Sequence, residues 1–183
     1  HLPVRHRFQV TYLGAGQVIE QDAAENATVV FQTVLATVEL RDSADTLILS
    51  SGATIDWQPG KEGDYLPFGE GMLAEDGTAR LEALGVGHRF RLSYDGATRV
   101  QTQNLQTTAT VLFQTVGVTV ELRDPAGTLI LDSGAVLTWK PVGAEAFVDF
   151  GSGVLDVSGQ TQREVLPGNH AFQLLLAGAD QVI

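Results

Sequence analysis

The sequence predicts an all-β chain made of tandem β-sandwich repeats. Three observations lead there. Residues 28–42 read TVVFQTVLATVELRD and residues 110–124 read TVLFQTVGVTVELRD, placing Phe31 and Phe113 at an offset of 82 (113 − 31 = 82). The same offset of 82 links His6, His88 and His170, Phe8, Phe90 and Phe172, Trp57 and Trp139, and Phe68 and Phe150, without a gap. Apolar residues alternate with polar ones in short runs between Gly and Asp turns, and no segment carries a capped 3.6-residue period. A fixed period of this kind marks an array of one unit. A unit of that length can bury a modest core of its own, so beads are expected rather than a stacked solenoid.

The period sets the expected boundaries. Residues 1–34 are the last strands of a preceding repeat, 35–116 a complete sandwich, and 117–183 a repeat lacking its closing strands. Corresponding residues are expected at like burial, Phe90 with Phe172 and Trp57 with Trp139.

Taken in order, Phe8, Val10 and Tyr12 alternate with polar residues, as one-faced strands do. The equivalent strand at 88–94 runs into Asp95-Gly96, a tight-turn pair that favours a hairpin. Residues 17–27 and 99–109 are polar and read as extended edges. In 110–124, Thr119, Glu121 and Arg123 alternate with Val118, Val120 and Leu122, and Thr37, Glu39 and Arg41 repeat the pattern. Asp42–Asp45 and Asp124–Gly127 read as turns, followed by short apolar strands at 47–49 and 129–131. Strands then lead to Trp57 and Trp139. Residues 58–71 and 140–153 carry Pro59, Pro67 and Pro141 and several glycines, and read as long variable loops. Ala79 and Leu81 resume the alternation. About seven short strands per period suit a sandwich.

The formal net charge is −11 and lysine occurs only at Lys61 and Lys140. No basic run exists, so nucleic-acid binding is not expected. The chain has no cysteine and hence no thiol chemistry. No apolar run approaches the roughly 18 residues that span a bilayer, so membrane insertion is not expected. No signal peptide is visible at His1.

The periodic histidines lie one module apart from each other. They cannot converge on one ion at ligand distances of about 2 Å, so a structural role is expected. Asp42, Asp45 and Asp124 lack the dense oxygen run of a calcium loop and read as turn residues. No metal site, cofactor or catalytic residue is assigned, and the chain is not expected to be an enzyme. The aromatic residues Trp57, Tyr65 and Phe68, with Trp139, Phe147 and Phe150, suit either packing or stacking on sugar rings. Trp57, Tyr65, Trp139 and Phe147 are the candidate glycan-stacking residues.

Residues 75–96, EDGTARLEALGVGHRFRLSYDG, and the run LPGNHAF at 166–172 carry a resemblance. They are similar to prealbumin-like, Ig-like β-sandwiches: carboxypeptidase-regulatory-like modules and the B-type repeats of bacterial surface adhesins. The resemblance implies a module closed by an extended strand, here 110–116 and 28–34. Many B-type repeats carry a Lys–Asn crosslink from their first strand. Residues 37–42 and 118–124 hold no lysine, so none is expected.

The expected function is structural: a repeat of an extracellular bacterial stalk or fibre, partnered head to tail by copies of itself. The phase of the period suggests strand complementation. Thr28, Val29, Val30, Phe31 and Val34 are the candidate donor strand. Val118, Val120, Leu122, Phe172 and Leu174 form the candidate acceptor. The alternative is a glycan-binding adhesin module at a host or cell surface.

Overall fold

A computed structural model describes residues 5–141, 144–176 and 179–182 of the chain. Strands dominate it, and the described residues contain no α-helix, only one 3-10 turn, Pro59–Lys61. The chain divides into two compact units. Unit 1 comprises His1–Leu40, Leu47–Leu92 and Val100–Phe113; unit 2 comprises Arg41–Thr46, Ser93–Arg99 and Gln114–Ile183.

In unit 1, β1 (Arg5–Tyr12) and β2 (Ala15–Asp22) form an antiparallel hairpin. Next come β3 (Thr33–Arg41), β4 (Thr54–Gln58), β5 (Leu66–Met72), β6 (Thr78–Leu84), β7 (Gly87–Tyr94), β8 (Ala97–Asn104) and β9 (Thr110–Gln114). They form two sheets, ordered β6-β3-β9 and β5-β4-β7-β8. The tip of the β7–β8 hairpin, residues 93–99, belongs to unit 2. The alternation seen in the sequence turns one face of each strand inward. Ala36, Val38, Leu40, Val111 and Phe113 of one sheet, and Ile55, Trp57, Phe68, Phe90 and Leu92 of the other, are all buried.

One pairing in this sandwich differs from its neighbours. Thr37 N–H bonds Ala109 C=O at 2.9 Å, and Thr115 N–H bonds Arg41 C=O at 2.8 Å. The bonds advance in the same direction along both strands, so β3 and β9 run parallel.

Unit 2 contains β10 (Val116–Glu121), β11 (Val136–Pro141), β12 (Val148–Val154), β13 (Gln160–Val165), β14 (His170–Leu176) and β15 (Ala179–Val182). Its sheets are β10-β13 and β12-β11-β14-β15. The register repeats that of unit 1 at the offset seen in the sequence. Val34 faces Ala83 and Val116 faces Val165; Trp57 faces Leu66 and Trp139 faces Val148. Even the bulge recurs, between 54 and 56 and between 136 and 138.

The turns are built alike. Asp42 Oδ1 accepts the amides of Ala44 and Thr46, and Asp124 Oδ1 those of Ala126 and Thr128, at 2.8–2.9 Å. These are Asx turns, in which the carboxylate replaces a backbone acceptor. Asp95 and Gly96, at φ of 55° and 76°, make the left-handed turn that a two-residue hairpin needs. Gly77, at φ 76°, lies where a Cβ would come within 2.8 Å of Ile48 O.

Four expectations need correction. Residues 47–49 and 129–131 are not strands: Leu129 makes a single bridge to Arg123, and Leu49 and Leu131 are each 62% exposed. The backbone turns directly afterwards, at Ser50 and Asp132 with positive φ. Residues 58–71 and 140–153 are not continuous loops, because β5 and β12 run through them. Thr28–Gln32 forms no strand, although its copy at 110–114 is β9. Finally, Phe90 is fully buried and Phe172 only half-buried, whereas Trp57 and Trp139 match at 2% and 0% exposure.

The last difference has a physical cause. In unit 1, β9 lies along β3 and adds buried Val111 and Phe113 to the core. Among the described residues of unit 2, no strand lies on the corresponding edge of β10. Phe90→Ala is therefore expected to cost about 3–5 kcal/mol, and Phe172→Ala on the order of 1–2 kcal/mol. Urea denaturation followed by intrinsic fluorescence checks the difference; equal costs would remove it.

Candidate functional site

The inner face of each four-stranded sheet carries an aromatic cluster. Trp57 meets Phe68 edge-on at 5.6 Å and stacks with Phe90 at 6.3 Å. Trp139 meets Phe150 at 5.7 Å and Phe172 at 6.4 Å in the same orientations. Burial at this depth removes Trp57, Trp139, Phe68 and Phe150 from any surface that a sugar ring can reach. Of the candidate stacking residues, Tyr65 and Phe147 keep partial exposure. Each has a cation over its ring, the Arg91 guanidinium at 4.2 Å and the Lys140 ammonium at 5.3 Å.

His88 is fully buried against Trp57, with ring centroids 4.9 Å apart. Its Nε2 lies 2.9 Å from Leu84 C=O, and its Nδ1 accepts the Gly60 amide at 3.2 Å. That pair of partners fits the neutral ring with its proton on Nε2. Burial lowers its pKa below the usual histidine value, the nearby Lys61 charge adds to this, and the Leu84 bond opposes it. His170 makes the same 2.9 Å bond to Leu166 C=O. The histidines thus tie β7 and β14 to the turns that precede them.

The candidate acceptor residues do share one face. Val118, Val120, Leu122, Phe172 and Leu174 pack against buried Ala135, Leu137, Trp139, Phe150, Leu155 and Val165, yet each stays partly exposed. Their counterparts in unit 1, Ala36, Val38, Leu40, Phe90 and Leu92, are all 0% exposed. The candidate donor residues show the complementary difference. Val29, Phe31 and Val34 are half-buried and Val30 is 58% exposed, whereas Val111 and Phe113 of β9 are buried.

A further constellation escaped the sequence reading. In unit 2 the hairpin tip at 95–98 packs on Pro141: a Cβ on Gly96 would lie 3.8 Å from the Pro141 ring. In unit 1 the tip of β1–β2 does the same, with Gly14 facing Pro59 at 3.6 Å. Ala15 and Ala97, one residue on, are both buried. Asp95 Oδ1 accepts Arg163 Nη2 at 2.5 Å, and Arg163 also reaches over Trp139 at 5.8 Å. One period earlier the corresponding positions are Leu13 and Leu81, so an ion pair stands where the first copy has two leucines. That joint exchange was the signal in the sequence.

A hydroxyl–carboxylate clip completes unit 2. Glu164 accepts Ser43 Oγ and Thr115 Oγ1 at 2.5 Å each, and the Ser43 amide at 3.1 Å. Thr33 and Glu82 form the corresponding 2.5 Å bond in unit 1. Among the described residues no group of three or more His, Cys, Asp or Glu side chains is placed to hold a metal ion.

No family model matches the chain, and no curated protein matches it. Among solved structures, the Bacillus anthracis TIE protein is similar over 92% of this chain and 32% of that one, at 10% identity and a TM-score of 0.34. A likeness at that score transfers neither fold detail nor function.

The Asp95–Arg163 pair is partly desolvated, so cutting one partner strands the other charge. Asp95→Leu and Arg163→Leu are each expected to destabilise unit 2 by on the order of 1–2 kcal/mol. The double leucine variant, which restores the chemistry of positions 13 and 81, is expected to recover most of the loss. A double-mutant cycle in urea reads the coupling, and additive single effects would show that the positions do not communicate.

Proposed function

We propose that the chain is a load-bearing segment of an extracellular or cell-surface bacterial stalk or fibre. It is built from prealbumin-like, Ig-like modules that recur at the offset of the sequence repeat, with 35–116 as one complete module. One observation carries this reading. The first strand of that module, β3, and its last, β9, lie side by side and parallel. Tension applied at residues 35 and 116 pulls these two strands in opposite directions along their length. It loads their hydrogen bonds in shear, together, instead of opening them one after another as in a hairpin.

Sequence economy supports the same reading. β9 ends at Gln114 and β10 begins at Val116, so a single residue, Thr115, separates the strand that closes one module from the strand that opens the next. Thr115 is buried, and its side chain is held by Glu164 and Arg41 C=O. The repeated tip geometry at Gly14–Pro59 and Gly96–Pro141 suits a junction used once per period. Burial of both tryptophans leaves the glycan-binding alternative with Tyr65 and Phe147, so the mechanical reading is preferred.

Single-molecule stretching of a polyprotein of residues 35–116 tests it. Each unfolding event is expected as a distinct force peak that releases up to about 290 Å of chain. Thr37→Pro removes the amide that bonds Ala109 and is expected to lower that force. Extension without force peaks, or peaks unaffected by loss of the β3–β9 bonds, would contradict the load-bearing role.

A further inference from the structure

One sheet edge of unit 2 is open among the described residues, and the chain carries a segment with the sequence to cover it. In unit 1 the outer edge of β3 is covered by β9, sequence TVLFQ, which sends Val111 and Phe113 into the core. On the corresponding edge of β10 no strand lies among the described residues, and the apolar face beneath is half-exposed. Residues 28–34, TVVFQTV, differ from 110–116, TVLFQTV, at one position only, valine for leucine at position 30. Residues 28–32 are not paired into a strand, and the side chains that match Val111 and Phe113, Val29 and Phe31, are half-buried.

We infer that residues 27–34 of a second copy of this chain add to β10 as a parallel strand and complete its sandwich. This rests on the module reading above. The register follows from the β3–β9 pairing. Thr119 N–H bonds Ala27 C=O, as Thr37 bonds Ala109, and the donor's Thr33 N–H bonds Arg123 C=O, as Thr115 bonds Arg41. Val29 and Phe31 then enter the face made by Val118, Val120, Leu122, Phe172 and Leu174. Backbone pairing supplies affinity and the alternate side chains supply specificity, as in strand addition generally. Donor and acceptor are different surfaces of the chain, so the interface is heterologous and each copy can both give and receive. An open apolar edge of this kind is also a template for wrong partners, which gives a cover for it a second value.

The test compares the unaltered chain with two variants. Phe31→Asp spoils the donor at a half-buried position. Thr119→Pro removes the amide on the open side of β10, because Thr119 holds the place of Thr37, whose N–H points away from β6. Val29→Asp is a second donor variant should either of these unfold. Sedimentation velocity between about 1 μM and about 500 μM is expected to show the unaltered chain growing beyond a dimer. Each variant alone stays monomeric. An equimolar mixture of Phe31→Asp and Thr119→Pro stops at a dimer, because one intact donor meets one intact acceptor. A synthetic peptide of residues 26–34 is expected to suppress assembly.

An unaltered chain that stays monomeric over this range overturns the proposal, as do Phe31→Asp chains that assemble like the unaltered one. Binding of the peptide to a chain that never self-assembles also overturns it, and assigns the edge to a strand that follows in the same polypeptide. Force peaks from 35–116 in a monomeric chain would leave the module reading standing while strand donation falls.

Discussion

The pairing of β9 with β3 is the constraint on which the rest of the molecule depends. It supplies the last edge of the smaller sheet and, through Val111 and Phe113, a wall of the core. With it present, Val38, Leu40, Phe90 and Leu92 are sealed. On the side where no such strand lies among the described residues, Val120, Leu122, Phe172 and Leu174 keep part of their surface in water. The two situations share register and bulge position and part of their sequence. The difference in burial follows from a single strand, and apolar burial at roughly 25 cal/mol per Å² makes that strand energetically significant.

In the load-bearing role proposed above, the same pairing would also serve mechanics. Bonds between parallel terminal strands share a pull applied at the two ends. Thr115 sits between two strands that face different cores, and Glu164 fixes it by accepting its hydroxyl. Ser43 is clipped by the same carboxylate. At one pair of positions the copies diverge together, Leu13 and Leu81 against the ion pair Asp95 and Arg163. A leucine opposite Arg163 would leave a partly buried charge unpaired.

Much of this was legible in the sequence because repetition doubles every signal. The alternation at 118–123 and the buried tryptophan strands recur one period apart and occupy like places, and the Asp95-Gly96 turn was legible from its own two residues. β5 and β12 were hidden because Gly69, Gly71, Gly151 and Gly153 take positive φ within them, a pattern that reads as loop. Residues 47–49 misled in the other direction. Three apolar residues imitate a strand, but the chain turns at Ser50 and leaves Leu49 in solvent. Aromatic side chains near the Gly- and Pro-rich stretch suggested a surface site. Only the fold distinguishes Trp57, turned inward, from Tyr65, held at the rim under Arg91. The unequal fates of residues 28–32 and 110–114 are invisible to sequence, since the two are nearly identical and differ in whether a β3-type edge lies beside them.

Amide hydrogen exchange resolved by NMR tests the central claim most directly, by comparing Thr37 with Thr119 in dilute, monomeric chain. The amide of Thr37 is bonded to Ala109 and lies inside a completed sheet, so it is expected to exchange only on opening of unit 1. The amide of Thr119 holds the corresponding place on an edge that is open among the described residues, and is expected to exchange faster by orders of magnitude, then to slow when a peptide of residues 26–34 is added. Equal protection of the two amides in the monomer would mean that the edge of β10 is already covered, and would contradict the account.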